Sequence, residues 1–162
     1  MTKTRLLDQI FGIEAAAAHC DIPCKIYDPS TAIIAAHSVV RMLDLIHENA
    51  EKEMSAGVMN TIIRCVRTKE IEAAKVKDEI RIIWGDYIKA PQIEKHPNVH
   101  DLTHSIMLTA SKCKVELNRA DGEQLVELVN QFAEMFWDTK GVATARKPAP
   151  YNTNLDMVVP QH

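Results

Sequence analysis

Two thiols and an imidazole fall within one short stretch near the start of the chain, His19-Cys20-Asp21-Ile22-Pro23-Cys24-Lys25-Ile26-Tyr27-Asp28-Pro29. Thiolates are ligands for soft and borderline metals, and they must be deprotonated to bind. Pro23 lies between Cys20 and Cys24 and fixes one φ angle. A cis bond before it would turn the chain back on itself, so that both sulfurs meet one centre. His19 adds a nitrogen beside Cys20. A planar mixture of nitrogen and sulfur suits Ni(II) or Cu(II), whereas a tetrahedral one suits zinc. The spacing alone does not choose between them.

The full order His-Cys-Asp-x-Pro-Cys-x-x-Tyr-Asp-Pro is more specific than the thiol pair, and it resembles the nickel superoxide dismutase family. The resemblance continues at Trp84-Gly85-Asp86-Tyr87-Ile88-Lys89-Ala90-Pro91, at His96-Pro97-Asn98-Val99-His100 and at Phe136-Trp137-Asp138-Thr139-Lys140. It covers most of residues 19–141 and implies a superoxide dismutase, an oxidoreductase with one nickel ion per subunit. His19 would supply its α-amine and, in the oxidised state, its imidazole. Cys20 would supply its thiolate and backbone nitrogen, and Cys24 a second thiolate. Thiolates and a deprotonated amide donate charge and bring trivalent nickel within reach, which water ligands do not. Asp21, Tyr27 and Tyr87 would stand around the metal, the tyrosines over its open face. The resemblance further implies a homo-hexamer of helical bundles, with superoxide as the small anionic substrate. The chain departs from the family pattern at Lys25, where glycine is usual. It departs again at Ala35 and Glu72, where some members carry a glutamate and an arginine near the axial histidine. A lysine at position 25 would strain the hook if the backbone there needs positive φ.

Such a ligand set requires an amine released by proteolysis, and residues 1–18 read as the segment removed. Lys3 and Arg5 precede apolar residues, but Asp8 and Glu14 interrupt them, leaving a poor export signal. The expectation is a propeptide cut between Ala18 and His19 by a processing protease, with a nickel chaperone as a further candidate partner. The weak export signal and the thiol ligands point to the cytoplasm. With a net charge of −3 and no basic block, nucleic acid and anionic membranes are poor partners. No apolar run is long enough to span a bilayer.

What must position the hook is helical. The 162 residues, 46% hydrophobic and 25% charged, suffice for one core. Asp28-Pro29 opens a first helix, with Ile33, Ala36, Val39, Val40, Leu43 and Ile46 on its apolar face. Gly57 marks a break. A second helix is expected from about Val58 to Tyr87, roughly 45 Å long at the rise of an α-helix. Its stripe begins at Met59 and Ile62, and Lys69 is its one polar intruder. Cys65 reads as an inert core thiol. Ala90 to Pro97 reads as a loop. A third helix carries Val99, Leu102, Ile106, Ala110, Cys113 and Leu117, with His100 and His104 on another face. Asp121-Gly122-Glu123-Gln124 resembles a capping box opening a fourth helix, which Gly141 ends.

The expected organisation is therefore a propeptide (1–18), a hook (19–28), a bundle (29–141) and a C-terminal tail (142–162) read as an extended arm. The fold class is all-α, an up-and-down four-helix bundle with an N-terminal metal-binding hook. Two other readings stay open on the residues alone. One is a non-catalytic zinc-binding bundle using Cys20, Cys24 and histidines. The other is a thiol protein whose Cys20 and Cys24 form a disulfide.

Overall fold

A computed structural model describes residues 25–161. The expected propeptide and the hook residues His19, Cys20, Asp21, Pro23 and Cys24 lie outside the described residues. Four long elements form the bundle: α1 (Ser30–Ala50), α2 (Ala56–Ile82), α4 (Val99–Val115) and α5 (Arg119–Thr139). The short α3 (Ala90–Lys95) bridges α2 and α4, and a π-helical turn (Ile83–Tyr87) extends α2. Two strands follow, β1 (Thr144–Pro148) and β2 (Asp156–Pro160), paired antiparallel with Arg146 opposite Val158.

The Asp28 carboxylate accepts the Ser30 N–H at 2.7 Å, and Pro29 already has helical dihedrals, which together start α1. The predicted apolar stripe of α1 is buried throughout. Helix α1 packs against α2 and α5, and α4 closes the bundle against both of these neighbours. Leu43, Val76, Ile80, Ile106, Leu125, Phe132 and Phe136 fill the centre with no exposed surface. Helices α1 and α5 approach closely at Gly122, where an added Cβ would lie 3.0 Å from side-chain atoms of Val40 and Leu43. Gly141 takes φ 71°, its N–H bonding Asp138 O and that of Val142 bonding Trp137 O. This is a helix end closed by a left-handed residue.

Lys69 is buried yet satisfied. Its Nζ donates to the carbonyls of Lys114 (3.2 Å) and Glu116 (2.7 Å), where α4 ends and its last carbonyls lack helical partners. Cys65 and Cys113 are buried free thiols, and burial pushes the Cys113 thiol up to about 11, away from reactivity.

Several boundaries differ from expectation. Helix α2 begins at Ala56, capped by Ser55 Oγ accepting the Val58 N–H, so Gly57 sits inside the first turn and breaks nothing. Met59 is 51% exposed, and the buried stripe of α2 begins only at Cys65. Helix α3 occupies the expected loop at 90–97, because Pro91 fits a first helical turn and Gln92 Oε1 accepts the Lys89 N–H. Leu117 lies beyond α4 and is exposed. Asn118, not Asp121, caps α5. Asp121 is instead buried in the first turn and paired with Lys112 at 2.8 Å.

The C-terminal tail is not an extended arm. It folds back as a hairpin on its own bundle. Asn130 donates to Asp156 O and accepts the Val158 N–H, and Arg146 forks across Glu127 and Glu134. Thr153, in the hairpin loop, bonds His37 on α1.

Candidate metal centre

Tyr27 and Tyr87 are the parts of the expected site that the described residues hold. Tyr27 comes first in the chain. It leaves the N-terminal side of α1 and packs on Tyr87, with ring centroids 5.8 Å apart and the rings tilted at 44°. Tyr87 comes from the π-helical turn after α2, where the Ile88 N–H bonds Ile83 O, five residues back. A π-turn inserts one extra residue and re-aims the side chains that follow it. Trp84 and Tyr87 accordingly diverge. Trp84 Nε1 donates to His100 Nδ1 at 2.9 Å, while the Tyr87 ring turns inward against Phe136 at 5.1 Å.

The end of α5 completes the wall. The Tyr87 hydroxyl lies 2.7 Å from Thr139 Oγ1, and Lys140 Nζ stands 5.1 Å from the centroids of both Tyr87 and Phe136. Beside it, Asp138 Oδ2 meets Lys95 Nζ at 2.8 Å and His96 Nε2 at 2.7 Å, and these two partners hold the Asp138 carboxyl below the usual carboxylate range. The contact ties α3 to α5, so the three downstream landmarks of the sequence converge on one end of the bundle. Thr139 and Lys140 were not singled out as site residues. Their membership of the Phe136–Lys140 landmark was the only signal for them.

Lys25 immediately follows the expected ligands and adopts φ 58°, the left-handed region. The backbone at this position therefore takes the conformation that favours glycine, and the lysine bears its cost. Ala35 is buried in the core, and Glu72 lies on α2 beside a cavity of about 240 Å³ lined also by His37, Arg41 and Tyr151. His19, Cys20, Asp21 and Cys24 lie outside the described residues, so only Tyr27 and Tyr87 of the expected set are brought together here.

Among the described residues no group of three or more His, Cys, Asp or Glu side chains converges as a metal site. His100 accepts from Trp84, and His37 is bound to Thr153 Oγ1 at 2.9 Å. The expected donors His19, Cys20 and Cys24 lie outside the residues so compared. By residue type, two thiolates with one imidazole fit a borderline, redox-active metal.

The comparisons with known proteins identify the family. The family model for nickel-containing superoxide dismutase matches residues 14–140. The superoxide dismutase [Ni] of Streptomyces seoulensis is 31% identical over 136 residues, spanning 83% of this chain and 98% of that protein. Its counterpart from Streptomyces coelicolor is 30% identical over the same shares. Among solved structures, native nickel superoxide dismutase superposes with a TM-score of 0.68 at 31% identity, covering 76% of this chain and 99% of its own. The apo structure gives 0.63 at 28% identity, covering 72% and 98%. A profile that spans the whole bundle, with relatives matched almost end to end, leaves one assignment: this chain belongs to the nickel-containing superoxide dismutase family.

Proposed function

We propose that cleavage between Ala18 and His19 releases the His19 α-amine, and that the hook then holds one nickel ion through His19, Cys20 and Cys24. The observation that carries this reading is the seating of Tyr27 on Tyr87, three residues after Cys24, at the end of the bundle where the family landmarks meet. Bound nickel would supply a one-electron couple that takes an electron from one superoxide and gives it to the next. Two superoxide anions and two protons then yield dioxygen and hydrogen peroxide.

The chain's own residues have the remaining tasks. Tyr27 and Tyr87 form an aromatic wall that limits access to small molecules and offers phenol oxygens for hydrogen bonding. Asp21 stands between the two thiols in sequence and would orient the hook. Lys25 and Lys140 place positive charge at the approach, which favours arrival of an anion despite the net charge of −3. Apolar side chains left exposed on α2 and α4 (Ile63, Ile71, Leu108 and Val115) suit burial between subunits of a homo-hexamer. No helix among the described residues is long and apolar enough to cross a membrane. Cytoplasmic thiols stay reduced, so that compartment suits the ligands, with a protease and a nickel chaperone as maturation partners.

The test compares the full chain with the chain starting at His19, each given one equivalent of nickel under reducing conditions, with superoxide decay followed directly. Fast decay only from the His19 start is the expected result. Equal turnover by the full chain would overturn the processing step. Decay from neither, with zinc bound in preference, would leave a metal-binding bundle. Sedimentation of the active form should give a hexamer.

A further inference from the structure

Tyr87 is wired to the end of α5 in a way that fixes where its proton goes. Thr139 Oγ1 lies 2.6 Å from Phe136 O and 2.7 Å from the Tyr87 hydroxyl. A carbonyl oxygen cannot donate, so the contact with Phe136 requires the single Thr139 proton. The Phe136 carbonyl calls for it, because the Lys140 N–H that a continuing helix would supply bonds Trp137 O instead. Thr139 has no second proton. The Tyr87–Thr139 bond must therefore be donated by Tyr87, and what remains at the phenol oxygen is lone pairs. The ring itself is clamped between Tyr27, Phe136 and the Lys140 ammonium, so it cannot swing to another partner without losing these contacts.

We propose that Thr139 is a positioning residue for the dismutase reaction, holding Tyr87 as a hydrogen-bond acceptor on the wall of the metal centre. An acceptor there welcomes protonated species, water and hydrogen peroxide, and offers no hydrogen bond to a bare anion. An anion drawn in by Lys25 and Lys140 thus finds no hydrogen bond on Tyr87 by which to lodge there. The inference rests on the proposed function, in which nickel is held beside Tyr87.

The test uses nickel-loaded protein beginning at His19, as wild type, Thr139→Val and Thr139→Ser. Valine keeps the shape and removes the acceptor, which releases the Tyr87 proton to face the site. Azide is the probe anion. The Thr139→Val protein should bind azide about three- to ten-fold more tightly, the worth of one added hydrogen bond, while its turnover falls. Serine should restore wild-type azide affinity and turnover. The tyrosine Raman doublet, which distinguishes a donating from an accepting phenol, should shift on Thr139→Val and return with serine. A merely structural loss would weaken azide binding along with activity.

Unchanged or weaker azide binding in an active Thr139→Val protein overturns the inference alone, as does an unshifted doublet. An inactive wild type overturns the dismutase reading and the positioning role with it.

Discussion

Lys25 shows what a single residue can reveal about a site. The sequence pattern singled it out because a lysine stands where glycine is usual, and the physical question was whether the backbone there needs positive φ. It does, at 58°. A non-glycine residue pays about 1 kcal/mol for this conformation. Lys25→Gly should relieve that cost and hold the segment leading to Tyr27 more firmly, slowing amide exchange at Ile26, Tyr27 and Asp28 about fivefold. Faster exchange would mean that glycine's extra freedom in the open state outweighs the strain. The proposed ligands His19, Cys20 and Cys24 can be picked out in the sequence because thiolate and imidazole donors are a matter of residue type. Thr139 was not legible in the same way. Its role depends on a carbonyl left over by the end of a helix, which a residue pattern does not display.

At the scale of elements, apolar periodicity found every long helix, because each buries one face of a single core. It failed where local hydrogen bonds decide. The start of α5 was assigned to Asp121 from a capping-box pattern, but Asn118 takes the cap and Asp121 is buried against Lys112. The second helix ends in a π-turn that periodicity reads straight through, since one inserted residue barely disturbs the stripe. Lys69 broke the α2 pattern for a reason located on another helix: it closes the end of α4. Lys69→Met keeps the methylenes and leaves the Lys114 and Glu116 carbonyls without their buried donor. Burial also pushes the Lys69 ammonium below its ordinary value, so the desolvation cost of the charge offsets part of the gain. The balance favours the two charge-assisted bonds, and Lys69→Met should lower stability by about 1–2 kcal/mol in urea unfolding. A neutral or stabilised variant would show that desolvation wins.

The whole molecule differs from a bare bundle by its C-terminal hairpin, which lies beyond the residues matched by the family model. Short strands with prolines at their ends carry little signal, and the polar contacts that dock them, Arg146 with Glu127 and Glu134 and Asn130 of α5 with the backbone of Asp156 and Val158, join groups that only the fold brings near. The hairpin also shuts His37 away. Tyr151 lies 5.3 Å from its ring, Thr153 bonds Nδ1, and Nε2 is buried without a partner. Burial pulls this imidazole below its ordinary value of 6.5, with a lesser opposing contribution from the Asp156 backbone. The unfolded chain takes up a proton on His37 near 6.5, whereas the folded chain does so only at lower pH. In that window the unfolded state binds more protons, so stability is full above 6.5 and declines as pH falls through the folded value. Urea unfolding at neutral and mildly acid pH should show that decline, and His37→Phe should flatten its share of it. An NMR titration of His37 provides the direct check. A midpoint at or above 6.5 would mean that the hairpin does not seal the histidine, and its clasp on α1 would then be looser than the Thr153 bond implies.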